Sequence, residues 1–226
     1  CDAPFNIFSE HSNIQFLHDL CNYLEKIDFH VYTGIILLHG SDTLAFTGAL
    51  LAQLFQDKSI VLVGADKPLD HAKSNGPANF DIAVKHLLRS KNAGVFISYD
   101  GLHPAWKTTS ADCTDIFREA DVPFIPIDSP AFHPKNILVI TPHPGIEYSS
   151  FNLNKTDAVL HAMYHSATVP AQAQKFARQC KEKGIPFYFV THHAKANYET
   201  AEKLTNILFS SCLLYTSPSP RDLSTS

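Results

Sequence analysis

Two kinds of apolar pattern alternate along the chain. Short unbroken runs end at glycine or polar residues, and between them apolar positions recur every three or four residues. Ile14, Leu17, Leu20, Cys21, Leu24 and Ile27 have helical spacing, which predicts an amphipathic helix over 13–27. "TGIILLHG" (33–40) is continuously apolar and predicts a buried parallel strand. Residues 43–56 return to helical spacing, and "KSIVLVGA" (58–65) predicts a second buried strand. Phe80, Ala83, Val84, Leu87 and Leu88 predict one apolar face on a helix over 78–90, and "AGVFISYDG" (93–101) a third strand.

This alternation implies right-handed βαβ crossovers and a parallel sheet. The rhythm breaks over 101–117, and "VPFIPIDSPAFHPKN" (122–136) carries four prolines, which suits a linker. Beyond it, strands are predicted over 137–145, 157–166 and 185–193, with a helix over 171–184. The expected organisation is α/β throughout: an N-terminal domain over 1–121, the linker over 122–136, and a smaller, truncated C-terminal domain over 137–208. The last residues, "SCLLYTSPSPRDLSTS", differ abruptly in character, so 209–226 is set aside as a non-native tail.

A hydrophobic content of 45% with 18% charged residues is ordinary for a globular protein. The net charge of −4 offers no electrostatic footprint for nucleic acid or an anionic membrane. No apolar run approaches the roughly 20 residues a membrane-spanning helix needs. The five cysteines are scattered without a C-x-x-C pair, so they read as free thiols of a reducing compartment, and the cytoplasm is expected. His192 and His193 are neighbours on a predicted strand and point to opposite faces, while His143, His161 and His165 fall on different elements. No metal site is expected from the 13 histidines.

Ligands of open parallel sheets bind at the carboxyl ends of the strands. Three polar clusters fall there: Ser41-Asp42-Thr43, the stretch from Ala65 to Asn79, and the stretch from Asp100 to Asp115, which contains Lys107. A lysine beside a carboxylate and a hydroxyl can activate the hydroxyl. Plainer readings exist for each. Ser41-Asp42-Thr43 suits a helix cap, Ser9-Glu10 suits a cap for the 13–27 helix, and Asp100-Gly101 suits a turn. Lys107 suits a solvated loop, and Trp106 either lines a cleft or packs under Lys107.

Taken in order, these segments resemble the L-asparaginase/glutaminase amidohydrolases. "GIILLHGSDTLAFTG" is similar to their H-G-T-D-T signature, and "IVLVGADKPLDHAKSNGPANFDIAV" to the V-G-x-x-x-P…S-D-G-x-x-N segment. "YDGLHPAWKTTSADCTDIF" is similar to the Lys-Thr…Asp-x-Phe loop, Ser9-Glu10 to a Ser-Gln or Ser-Glu pair, and "ILVITPHPGI" to the opening strand of the second domain. The resemblance implies side-chain amide hydrolysis of asparagine, or of glutamine, through a threonine acyl-enzyme. Ser41, Asp42 and Lys107 would form the relay. Asp42 and Glu10 would take the substrate's ammonium, Ser9 its carboxylate, and the Ala65 carbonyl would face the amide nitrogen. No cofactor is implied, and family members are dimers or tetramers, so a homo-oligomer acting on a small amino acid is expected.

Three departures qualify the resemblance. No Gly-Gly-Thr-Ile-like nucleophile motif occurs in the chain, so the nucleophile is expected upstream of Cys1 and these 226 residues alone are expected to be inactive. Ser41 stands where threonine is usual, losing the methyl that restricts χ1, and Asn75 replaces an aspartate. A catalytically silent amino-acid sensor is the alternative from another class. Nucleotide binding is disfavoured because neither G-x-G-x-x-G nor a P-loop lysine motif is present.

Overall fold

The computed structural model describes residues 1–90, 92–120, 124–126, 132–164, 166, 168–191 and 213–215. The chain divides into two compact units, one of Cys1–Ala120 with Phe124–Pro134 and one running from Lys135 onward. Much of the proline segment lies outside the described residues, as do His165, His192, His193 and most of 209–226.

The first unit is built on a four-stranded sheet of order β1 (Ile35–Leu38), β2 (Ser59–Val63), β3 (Gly94–Ser98) and β4 (Leu102–Pro104). The first three strands run parallel, while β4 folds back antiparallel on β3 through a turn at Asp100. Asp100 has φ 49°, a left-handed conformation that aspartate tolerates better than most residues. The irregular sequence of 101–117 hides β4, which is only three residues long.

Strand side chains alternate between two cores. Ile60, Leu62, Val95 and Ile97 meet α1 (Ile14–Glu25) and α2 (Leu44–Leu54) through Leu20, Leu24, Leu44 and Leu51. Val61 and Val63 face the other way, onto Ala83 and Leu87 of α3 (Gly76–Arg89). Helix–sheet–helix layering therefore comes from continuously apolar strands, as parallel sheets require.

Two expectations are corrected. β1 is parallel but not buried: it has a strand neighbour on one side only among the described residues, and Leu38 is 63% exposed. The α3 face is also rotated. Phe80 and Leu88 are exposed, and the buried stripe runs Gly76, Asn79, Ala83, Leu87. An asparagine sits in that stripe because backbone groups hydrogen-bond both its amide nitrogen and its amide oxygen.

The second unit is a parallel sheet of β5 (Ile137–Ile140), β6 (Ala158–Ala162), β7 (Phe187–Thr191) and β8 (Leu213–Tyr215). β8 falls in the stretch set aside as a tail and pairs with β7. Ala173, Phe176, Ala177 and Cys180 of α4 (Gln172–Glu182) form one stripe of its core with Val159, Phe187 and Phe189. His161 is completely buried there, stacked at 9° on Tyr148, whose hydroxyl lies 2.7 Å from its Nε2.

No helix among the described residues is long and apolar enough to cross a membrane.

Candidate functional site

The carboxyl ends of β1, β2 and β3 deliver three loops to one edge of the first sheet. The β1 loop, His39 to Thr43, is held from below by His39. Its Nδ1 lies 2.8 Å from the Gly40 carbonyl and its Nε2 2.9 Å from the Thr47 hydroxyl. The Gly40 carbonyl requires a proton on Nδ1, and burial, which pushes the His39 pKa down, favours the neutral ring whose Nε2 accepts from the Thr47 hydroxyl.

The loop closes on the short turn Ser9–His11. The buried Ser9 donates from Oγ to Asp42 Oδ2 at 2.9 Å, across 33 residues. Thr43 Oγ1 donates to the Ser9 carbonyl at 3.0 Å and contacts Ser12 Oγ at 3.2 Å. Gly40 makes this approach possible: a Cβ there would stand 2.4 Å from Ser9 Oγ and 2.6 Å from Ser9 Cβ.

Both capping readings are corrected. Thr43 occupies the N-cap position of α2 but makes no capping side-chain bond, because its hydroxyl is turned to the Ser9 turn. The cap of α1 is Asn13, which accepts from the Phe16 N–H, so Ser9 is free to hold Asp42. Glu10 is exposed at the rim of that turn. Ser41 is half-buried, and among the described residues its hydroxyl has no hydrogen-bond partner.

The β2 loop runs from Gly64 through Ala65 to α3. Asn75 Oδ1 accepts from the Asp66 N–H at 2.8 Å, and Asp66 Oδ1 accepts from the Asn75 N–H at 2.9 Å. Asn75 Nδ2 donates to Asp100 Oδ1 at 2.9 Å. One turn later, Asn79 Nδ2 donates to the Gly64 carbonyl and its Oδ1 accepts from the Asp100 N–H, both at 2.9 Å. A cleft of about 610 Å³ opens here, lined by Leu38, His39, Gly64, Ala65, Gly76 and Phe80. Sequence patterning alone assigns Asn79 no role. Its signals are an asparagine four residues before Ala83 in an otherwise apolar stripe and its match to the last position of the S-D-G-x-x-N segment.

Lys107 lies in a short turn after β4 and is bound elsewhere than the expected relay. Its Nζ is 2.6 Å from Glu119 Oε2 and 5.7 Å from the centre of the Trp106 ring. Trp106 thus packs beside the lysine, one of its two anticipated positions. Hydrogen bonding by Lys107, with help from His103, holds Glu119 below the ordinary carboxylate range despite partial burial. No hydrogen bond or ion pair joins Lys107 to Ser41 or Asp42. Nearby, the Tyr99 hydroxyl donates to Asp115, and burial together with that carboxylate pushes the phenol's pKa up.

The structure therefore brings together Ser9, Ser41 and Asp42 on touching loops, places Ala65 in the lining of the adjacent cleft, and leaves Lys107 with Glu119. Among the described residues, no group of three or more His, Cys, Asp or Glu could hold a metal ion.

The sequence profile of the family described as "Asparaginase, N-terminal" matches residues 2–129. A glutamyl-tRNA(Gln) amidotransferase subunit of Pyrococcus horikoshii is 32% identical over 87 residues, 36% of this chain and 19% of that protein. The L-asparaginase of Thermococcus kodakarensis is 32% identical over 73 residues, 31% of this chain and 22% of its own length. The matched stretches thus span about a fifth of these curated relatives. Among solved structures, the thermostable L-asparaginase from Thermococcus kodakarensis aligns with TM-score 0.74 and 18% identity, covering 90% of this chain and 71% of that one. L-asparaginase I from Vibrio cholerae aligns with TM-score 0.73 and 18% identity, covering 95% and 74%. At that identity the structural likeness is one of fold.

Proposed function

The chain belongs to the asparaginase family, and from that premise we propose that it forms the substrate-orienting half of an amidohydrolase site for L-asparagine. The observation that carries the proposal is the Ser9–Asp42 bond, which sets a hydroxyl and a carboxylate side by side at the sheet's carboxyl edge. A free amino acid presents an ammonium and a carboxylate on one carbon. Asp42, exposed on its outer side, suits the ammonium, with Glu10 at the rim as a second acceptor; once the ammonium occupies Asp42, the Ser9 hydroxyl can turn from that carboxylate and donate to the substrate's own. The carbonyl of Ala65, in the cleft lining, suits the side-chain amide NH₂.

An unactivated amide is a poor electrophile, and an acyl-enzyme divides its hydrolysis into two easier steps. The attacking threonine would come from outside these 226 residues, since no Gly-Gly-Thr-Ile-like sequence occurs among them. β1, apolar along its whole length, has no strand neighbour on its far side among the described residues, and a further strand carrying the nucleophile would pair there, next to Ser41. Attack passes the nucleophile's proton through Ser41 into the relay of Asp42 and Lys107 and turns the carbonyl oxygen into an oxyanion; the relay returns that proton to the amide nitrogen, and on collapse the C–N bond breaks and ammonia departs. Water then repeats the sequence and releases aspartate. Lys107 would exchange Glu119 for Ser41 when the site is complete. A homo-oligomer is proposed with this reading.

A second reading follows from the relatives named as amidotransferase subunits. There the same half-site would pass the ammonia to an acceptor rather than to solvent, with aspartate formed in either case. Ammonia release from L-asparagine by the protein expressed from its complete coding sequence separates the two. Turnover with L-asparagine alone supports the hydrolase, and ammonia production that requires a glutamylated acceptor supports the transferase. No amide-dependent ammonia under either condition refutes both and leaves the amino-acid sensor.

A further inference from the structure

The Ala65 carbonyl belongs to a peptide plane whose other polar group is the Asp66 N–H. These two groups point in opposite directions across one rigid plane, so fixing the N–H fixes the carbonyl. Asn75 Oδ1 accepts that N–H at 2.8 Å. The preceding peptide is fixed too, because Asn79 Nδ2 donates to the Gly64 carbonyl at 2.9 Å. Asn75 is the N-cap residue of α3, with αR backbone angles, and Asn79 lies four residues on, one turn into the helix and on the same side. Each uses its remaining amide atom on the same residue of the β3 exit: Asn75 Nδ2 on Asp100 Oδ1, Asn79 Oδ1 on the Asp100 N–H. Asn79 is 1% exposed, so its pairing is shielded from water.

We propose that Asn75 and Asn79 are positioning residues that aim the Ala65 carbonyl into the site and thereby make it select a side-chain amide over a carboxylate. This rests on the reading of Ala65 given above. A carbonyl held toward the ligand accepts from an amide NH₂ and repels a carboxylate oxygen, so L-asparagine is favoured over L-aspartate. The arrangement also accounts for asparagine at position 75, where the family pattern has aspartate. Here the position lies between the carboxylates of Asp66 and Asp100, and only a side chain that both donates and accepts satisfies the Asp66 N–H and Asp100 Oδ1 together.

The first test needs no ligand. In the ¹⁵N,¹³C-labelled 226-residue chain, a scalar coupling is expected between the Asp66 amide nitrogen and the Asn75 side-chain carbonyl carbon. N75A is expected to abolish it and to speed Asp66 amide exchange at least about tenfold, the loss of one hydrogen bond. N75D alone places a third carboxylate between two others, whereas N75D/D100N exchanges donor and acceptor and is expected to restore Asp66 protection. The second test compares L-asparagine with L-aspartate binding. The unmodified chain is expected to prefer L-asparagine about tenfold or more, and N75A to narrow this below about threefold. Absence of the coupling, or N75A exchange equal to that of the unmodified chain, overturns the positioning role. Preference retained in N75A overturns the selectivity. If neither amino acid binds while the coupling is present, the reading of Ala65 as a ligand group fails and the peptide clamp stands.

Discussion

The close approach of Gly40 to Ser9 makes a quantitative prediction for G40A. An added Cβ would meet Ser9 Oγ at 2.4 Å and Ser9 Cβ at 2.6 Å, where ordinary contact begins near 3.4 Å. Rotating the hydroxyl relieves only the first contact. The second obliges the Ser9 backbone to retreat by 3.4 − 2.6, about 0.8 Å, and Ser9 is 8% exposed, with little room to do so. Overpacking of this kind costs roughly 1–3 kcal/mol, and the Ser9–Asp42 hydrogen bond is stretched or lost as well. A total near 2 kcal/mol lowers the urea midpoint by about 1 M at a slope of about 2 kcal/mol/M. Trp106, the chain's one tryptophan, lies in the first unit and reports its unfolding by fluorescence. S9A keeps the offending Cβ and should not rescue G40A, whereas S9G removes it and should recover about half the loss in a double-mutant cycle. A G40A midpoint within about 0.2 M of the unmodified chain refutes the reasoning. Rescue by S9A equal to that by S9G does so too.

Burial of His161 against Tyr148, Phe187 and Phe189 lowers its pKa in the folded state from 6.5, so below pH 6.5 the unfolded chain binds more protons. Stability of the second unit should therefore fall as pH drops through 6.5, by up to about 1.4 kcal/mol per pH unit, and H161Q should flatten that slope in urea titrations at pH 7.5 and 5.5. A pH-independent midpoint in the unmodified chain contradicts this. The buried thiols of Cys21 and Cys180 are pushed up to about 11, while Cys1 and Cys113 are exposed. Iodoacetamide at pH 8 should modify Cys1 and Cys113 at least about 100-fold faster than Cys21 and Cys180, as read by peptide mass spectrometry.

The pattern of apolar runs is sufficient to place β1, β2, β3 and the helices between them, because continuous Val/Ile/Leu runs have few uses other than parallel strands. It also places Ser41 and Asp42 at a strand's carboxyl end, where open sheets bind ligands. What it cannot supply is partnership over distance. The Ser9–Asp42 bond spans 33 residues, and both residues have adequate local readings as caps. Lys107 has several acidic neighbours in sequence, and only the pairing of the 107–109 and 118–120 segments selects Glu119. Asn79 escapes a periodicity scan because such a scan treats a polar residue as surface, whereas its amide replaces an apolar contact with backbone pairing. The apolar run of β1 suggests burial because composition reports suitability for burial, while exposure depends on which strands are its neighbours.

The claim at the centre of the account is that Ser9, Ser41, Asp42 and Ala65 form one amino-acid site. Titration of L-asparagine into the ¹⁵N-labelled chain tests it most directly. The account predicts saturable shifts at the amides of Ser9, Gly40, Ser41, Asp42 and Asp66 that share one binding curve, and their loss in D42A. Saturable shifts confined to the second unit, or no saturable shift at those five amides, contradict it.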